Sequence, residues 1–552
     1  MQTTRAWILA VLLACIFSFA GLGNHPLRAA DEPRVAGIAW EMQHSGQIVP
    51  HLGGVPFLEH PPLFYVLLGA CIDQFGASEG VARLPGAIAS ALTLLIVFFL
   101  GLRLASPAAG LYSLLALVGI AGFFRYSHRA VVDPLLMLFV MAGYAAYVCA
   151  VWRPATPGRE LEPDSRVSPG SLVAVYLFAA LAFWVKGPIG VVAVGGPLAI
   201  DVLAGRRWRV LRSPAHLLGL PLLGAACAAW PLLLQHELGS EGMRTFLFQN
   251  GLYRVFPEAG PYAGGHEEPF WYYFHRAPIK LGWTMVFIPA TALWLIRGKT
   301  PAGWQLPALR FLAWVLPVGT LLLSLPGTKR VLYLLPFMPP LAVAVGAWIA
   351  AVGTSDPGRT RVEAAIASLC ARLSELLLRP FASFAIPKHE LHDDIARAEA
   401  GACQGPRRAA TIGYALSVVA FLVIIPFTNA GRDMGPVARE VGERVGDEPL
   451  AGYSLDEGMR GALSFYAGRQ AETFYTPDGL AGKLEQRGLR YVFSPLGFHA
   501  ELQRELGTEP VRIWDEDERT YALYVFDPAA RAASHRSAEP DAKADVTSAD
   551  GR

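Results

Sequence analysis

Residues 84–104 read LPGAIASALTLLIVFFLGLRL and residues 131–152 read VVDPLLMLFVMAGYAAYVCAVW. Each is an apolar run of the length a helix needs to cross a bilayer, about 17–25 residues. Further runs of this kind fall near 7–23, 108–124, 171–186, 187–204, 215–235, 279–296, 308–325, 331–352 and 409–427. They predict a polytopic α-helical membrane protein of about eleven spans. Lys186-Gly187-Pro188 divides 171–204 into two short halves. Residues 61–76, apolar but short and following a double proline, read as an interfacial or re-entrant helix. The whole chain agrees: 53% of its 552 residues are hydrophobic and only 17% charged, and the charges gather in short clusters. Its mean hydropathy is +0.36. A net charge of +2 without any basic-aromatic surface gives no sign of nucleic-acid binding. Six cysteines without CxxC spacing predict neither a disulfide framework nor a thiolate zinc site.

Basic residues set the orientation. Arg103, Arg153, Arg159, Arg166, the Arg206–Arg212 group, Arg297, Lys299 and the stretch from Arg359 to Arg408 all follow even-numbered spans. The positive-inside rule makes those loops cytoplasmic, so the N-terminus is expected inside and the C-terminus outside. The first span, with Arg5 ahead of it and Leu27-Arg28-Ala29-Ala30 behind it, also has the form of a signal peptide. Residues 1–427 are then the membrane domain. Within it, 353–408 form a cytoplasmic insertion whose segment 362–385 is an amphipathic surface helix or one arm of a soluble helical hairpin. Residues 428–530 change character, alternating β-type runs (450–455, 491–494, 511–514, 521–526) with helical patterns (435–445, 478–487), which predicts a small α/β domain on the outer face. Residues 531–552 are polar and small, as in a disordered tail.

The predicted outer loops differ from the inner ones. The acidic pair Asp31-Glu32 follows the first span, with Arg34, Glu41, Glu59 and His60 behind it. Arg125 to Arg129 lead into Asp133, which opens a later span. Lys186, Arg244, Asn250, Tyr253, Arg254, His266, Trp271, Tyr272, Tyr273, Lys329, Arg330 and Tyr333 fall on the same predicted face. Carboxylates at a membrane margin are costly unless paired or used. Cations there run against the positive-inside trend, and an anionic phosphate near headgroup level explains them. Mixed carboxylates and aromatic rings suit a sugar. Structural readings stand beside these: Asp133 as a helix-dipole stabiliser paired with Arg129, Lys186, Arg330 and Tyr333 as interfacial anchors, and the aromatics as a membrane belt.

The run Asp31-Glu32-Pro33-Arg34-Val35-Ala36, then Gly46-Gln47-Ile48-Val49-Pro50 and Gly54-Val55-Pro56-Phe57-Leu58-Glu59-His60-Pro61-Pro62-Leu63, resembles polyprenyl-phosphate-sugar glycosyltransferases of the GT-C fold. Among them are the bacterial lipid A aminoarabinose transferases and the dolichyl-phosphate-mannose-protein mannosyltransferases. Val81-Ala82-Arg83-Leu84-Pro85, Lys186-Gly187-Pro188, Pro269-Phe270-Trp271-Tyr272-Tyr273 and Tyr333-Leu334-Leu335-Pro336 match as well, so the resemblance covers most of residues 1–352. It implies Asp31 and Asp133 as the catalytic carboxylates and Arg34 as a donor-phosphate ligand; His60, Lys186, Arg330 and Tyr333 are the further substrate-binding candidates. It also implies Glu59 and His266 as holders of a divalent metal, zinc by analogy. His60 stands where the relatives usually carry lysine, which shifts phosphate binding toward Arg34, Lys329 and Arg330.

The implied enzyme is a multi-pass protein of the bacterial inner membrane. It would move a sugar from an undecaprenyl-phosphate carrier to a periplasm-facing acceptor, lipid A or another envelope glycan, by inverting displacement. The alternatives are a protein O-mannosyltransferase-like enzyme, a transporter or flippase for a lipid-linked sugar, and a non-catalytic scaffold.

Overall fold

The computed structural model describes residues 3–28, 30–152, 154, 167–256, 266–352, 360–378, 394–429, 433–516 and 519–529. The expected arginines Arg153, Arg159 and Arg166, the end of the amphipathic segment beyond Leu378 and the polar tail lie outside these residues. The chain forms two compact units that are discontinuous in sequence. One holds residues 1–25, 58–71 and 78–427; the other holds 26–57, 72–77 and 428–552.

The first unit is helical. Among the described residues, six helices are long and apolar enough to cross a membrane: Glu79–Leu104, Asp133–Val151, Pro169–Lys186, Ala215–Leu252, Leu306–Ser324 and Gln404–Thr428. Two bent pairs raise the number to eight if each counts as one span. This is below the eleven expected, for physical reasons. Three of the expected stretches fold as short apolar helices, Thr3–Phe19, Pro107–Val118 and Pro188–Ala204. The stretch near 279–296 breaks into Tyr272–Lys280 and Gly282–Arg297, bent by 102°. Pro278 lies inside the first of these helices and Gly282 takes a positive φ of 57° between them. Val331–Phe337 and Pro339–Ala351 meet at 52° around Pro336, Pro339 and Pro340.

Small residues let these helices approach closely. A Cβ on Gly346 would lie 2.2 Å from the backbone nitrogen of Ser113, and one on Gly101 would lie 2.7 Å from the Cα of Gly110. Without a hydrophobic drive between helices in lipid, such close packing is what holds a bundle together.

The second unit is α/β. A short antiparallel hairpin, β1 (His51–Leu52) and β2 (Val55–Pro56), follows the helix Asp31–Ser45. A five-stranded mixed sheet is built from β3 (Leu450–Tyr453), β4 (Ala471–Phe474), β5 (Tyr491–Pro495), β6 (Pro510–Glu516) and β7 (Arg519–Val525) in the order β4-β3-β5-β7-β6. β3 pairs parallel with β4 and β5, while β7 pairs antiparallel with β5 and β6.

Strand alternation sends Phe493, Tyr521 and Leu523 to one face, against Val437, Val441, Met459 and Leu463 of the helices Gly435–Val445 and Glu457–Ala467. Val492, Ala522 and Tyr524 face the other way, against Leu480, Leu484, Leu502 and Leu506. Strands and helices therefore form where the β-type runs and helical patterns of 428–530 place them. The edge strand β4 and the helices Glu457–Ala467 and His499–Leu506 are additions.

Candidate active site

The residues singled out in sequence fall into two groups, one in each unit. In the helical unit, Asp133 opens the helix Asp133–Val151 and Lys186 ends the helix Pro169–Lys186. The two helices are consecutive and pack together, and the start of one lies beside the end of the other. Lys186 donates to the Asp133 carboxylate, and the residues are only 8% and 2% exposed. Each charge is also favoured by its helix end, the carboxylate at an N-terminus and the ammonium at a C-terminus.

Gly187 ends the Lys186 helix at φ 68° and ψ −150°, a conformation essentially reserved for glycine. Pro188 then starts the next helix, and Gly190 lies so close to the carbonyl of Ala182 that a Cβ there would be 2.3 Å from its oxygen. The Lys-Gly-Pro motif is thus a tight reversal that delivers the lysine.

The Lys186 ammonium also lies over the Tyr333 ring, 4.9 Å from its centroid. Tyr333 N–H and Tyr273 O–H both donate to the Arg330 carbonyl, at 2.9 and 3.2 Å. The backbone of Lys329 donates to the His266 carbonyl at 2.9 Å, beside a β-bridge between Glu267 and Thr328. The structure thus links Asp133, Lys186, Tyr333, Arg330 and His266 into one run of contacts. Glu59 and His60, both half-buried, sit on a loop tied down by Asn250, whose side-chain amide donates to the Leu58 carbonyl at 3.1 Å.

One expectation changes here, and two further polar residues take structural roles. Lys329 is 4% exposed and its ammonium donates to the carbonyls of Pro326, Glu268 and Gly327 at 2.6, 2.7 and 3.3 Å, so it braces the loop rather than facing a phosphate. Burial holds its pKa below the ordinary lysine value, opposed by Glu268. His128 is buried, stacked on Phe421 at 3.5 Å, and burial pushes its pKa down to about 3, so it is neutral. Arg83 is fully buried and donates to the carbonyls of Leu22 and His25, both at 2.9 Å, as a pin for the chain after the first helix.

In the α/β unit, the expected first outer loop is a helix from Asp31 to Ser45, with the acidic pair in its first turn. Arg34 reaches back to Asp31 at 2.9 Å and across to Glu457 at 2.6 Å, over the ring of Phe57. Glu41 is fully buried and accepts from Gly53 N–H at 2.8 Å, Gly54 N–H at 3.1 Å and Ser464 O–H at 2.6 Å, which makes it the anchor of the β1–β2 hairpin. Glu457 and Ser464, both on the helix Glu457–Ala467, escaped the sequence reading because their partners lie 423 residues away.

For the metal implied by the resemblance, no cluster of three or more His, Cys, Asp or Glu side chains forms among the described residues. Glu59 and His266 alone fall short of the three or four protein donors a zinc site uses, so no step is derived through a metal.

The sequence model of the dolichyl-phosphate-mannose-protein mannosyltransferase family matches residues 59–233. The chain is 26% identical over 355 residues to the undecaprenyl phosphate-alpha-4-amino-4-deoxy-L-arabinose arabinosyl transferase of Edwardsiella ictaluri, covering 63% of this chain and 60% of that one. It is 28% identical over 365 residues to the second such enzyme of Sodalis glossinidius, covering 64% and 61%. The chain therefore spans about 60% of the length of these relatives.

The crystal structure of ArnT from Cupriavidus metallidurans in the apo state matches with a TM-score of 0.72 at 18% identity, over 95% of this chain and 98% of that one. The same protein bound to undecaprenyl phosphate matches at 0.69 and 16% identity, over the same shares of both chains. The fold is thus that of ArnT from Cupriavidus metallidurans.

Proposed function

We propose that this chain is an inner-membrane glycosyltransferase that moves a sugar from an undecaprenyl-phosphate carrier to a periplasm-facing acceptor, lipid A or another envelope glycan. The acceptor oxygen attacks the anomeric carbon, the bond to the carrier phosphate breaks, and the configuration inverts in one displacement. With a hydroxyl acceptor, Asp31 takes its proton; with an ionised phosphate acceptor, Asp31 orients it electrostatically. Arg34 binds the carrier phosphate through its planar guanidinium fork. Within the helical unit, Asp133 serves as the second catalytic carboxylate, and Lys186, Tyr333, Arg330 and His60 serve as further substrate-binding residues.

The observation that carries this reading is the Asp31–Arg34 pair in the first turn of its helix, a half-exposed carboxylate held beside a guanidinium. General-base catalysis and phosphate binding call for that combination. The named activity of the relatives supports the same substrate class. In this reading the N-terminus is cytoplasmic and the α/β unit periplasmic. In the same reading the shorter apolar helices serve as further spans of the expected eleven, with Pro107–Val118 extended by the segment 119–126 that follows it.

The test is an assay of purified protein with radiolabelled undecaprenyl-phosphate sugars and envelope extract. Label is expected in a lipid or glycan product with wild type. Asp31→Asn should lose about 10²–10⁴-fold of the rate if a hydroxyl is attacked. Unchanged turnover in that variant, or label found only in protein, overturns the assignment.

A further inference from the structure

Both terminal nitrogens of Arg34 carry a carboxylate, although this is the residue read above as the donor-phosphate ligand. Asp31 takes Nη2 and Glu457 takes Nη1. The two acids are not equivalent. Asp31 precedes Arg34 by three residues on the same helix and comes with it. Glu457 belongs to another helix and has a long, rotamer-rich side chain that is 41% exposed, whereas the Arg34 side chain is 16% exposed.

The backbone beneath Glu457 is nonetheless fixed. The helices Asp31–Ser45 and Glu457–Ala467 run parallel, with contacts advancing together from Arg34 and Glu457 through Gly37 and Gly461 to Glu41 and Ser464. A Cβ on Gly461 would lie 2.2 Å from the Pro33 carbonyl oxygen and 2.6 Å from the Arg34 Cα. This contact, one turn after Glu457, leaves the glutamate on the face turned toward Arg34.

We propose that Glu457 sets the affinity of Arg34 for the carrier phosphate by occupying, in the free protein, the place on the guanidinium that the phosphate takes. The proposal rests on the reading of Arg34 as the donor-phosphate ligand. Carboxylate and phosphate present the same acceptor geometry to the arginine fork. The parallel helices bring two N-termini together, each favouring negative charge. A phosphate arriving while both carboxylates remain would make a third anion on one guanidinium, so one must leave. Glu457, on another helix and with the longer and more exposed side chain, is the acid that turns away, while Asp31 stays in the turn that carries Arg34. The α/β unit thereby contributes directly to donor selection, favouring ligands whose phosphate charge outcompetes a carboxylate.

The experiment measures undecaprenyl phosphate binding to full-length protein in detergent, comparing wild type, Glu457→Gln and Glu457→Asp, each also in an Arg34→Ala background. Glu457→Gln should bind about tenfold tighter, the worth of one charge-assisted hydrogen bond, and the gain should vanish without Arg34. Glu457→Asp, which keeps the charge but draws it back by one methylene, should fall between the two and guards against a Gln variant that fails to fold. Equal or weaker binding by a folded Gln or Asp variant overturns the proposal and leaves Glu457 a brace for Arg34. If no variant binds undecaprenyl phosphate, the carrier reading fails, and inorganic phosphate then decides the competition. Greater thermal stabilisation of Glu457→Gln than of wild type by phosphate upholds it; equal stabilisation overturns it.

Discussion

The ammonium of Lys186 meets the carboxylate of Asp133 where one helix ends and another begins, and neither group is open to solvent. A buried pair of this kind is weak as a source of stability but costly to break, because the survivor is left as an uncompensated charge. Asp133→Leu or Lys186→Met alone should therefore destabilise the protein by about 3–5 kcal/mol, and the double substitution should recover most of that loss. Thermal unfolding in detergent checks both. If the two single losses add in the double variant, the pair is not a coupled unit.

Gly187 should be as sensitive as the pair it delivers. Its φ of 68° and ψ of −150° are barred to a residue with a Cβ, so Gly187→Ala should cost about 1–3 kcal/mol. The variant is also expected to lose donor turnover, because the turn that places Lys186 must open. Full activity and an unchanged unfolding temperature would show that the turn accommodates a side chain.

Removing the Glu41 carboxylate by Glu41→Ala strips three donors of their acceptor: two hairpin amides and the Ser464 hydroxyl. A buried donor left without a partner costs about 1–3 kcal/mol, so the β1–β2 hairpin should loosen. Hydrogen exchange is expected to rise at Gly53 and Gly54 while the strands β3, β5 and β7 stay protected. Uniform loss of protection would instead mean that Glu41 supports the whole unit.

The α/β unit should lose stability in acid partly through Glu440. The Trp514 indole N–H, 2.6 Å away, and then the Arg444 and Arg512 guanidinium groups hold its carboxyl below the ordinary value. A carboxyl depressed in the folded state stabilises fully above its unfolded pKa, and that contribution fades as pH falls through the folded value. Glu440→Gln should accordingly lower the unfolding temperature near neutral pH and converge with wild type in strong acid. A constant difference between the two across the pH range would exclude the linkage.

Much of this architecture was legible in the order of residues. The apolar runs at 84–104 and 131–152 become membrane-length helices because composition and length decide burial in lipid with little help from neighbours. Asp133 was readable as a first-turn residue, and the strand runs near 450, 491, 511 and 521 were readable from local alternation. The first outer loop was misjudged. Asp31 to Ser45 hold a helix that packs glycine to glycine on Gly461, a partner no local pattern announces. Lys329 is illegible for the same reason: the carbonyls of Pro326 and Glu268 that claim its charge are brought to it by the fold.

Sequence by itself determined the long apolar helices, the α/β character of the C-terminal stretch and the acids and bases worth watching, since these follow from hydrophobicity, period and charge along the chain. Only the tertiary structure decided which charges neutralise each other. It gave Lys186 to Asp133 and set Glu457 against Arg34 across 423 residues. Coulomb attraction and desolvation depend on distance and burial in space, and neither is written in the spacing of residues.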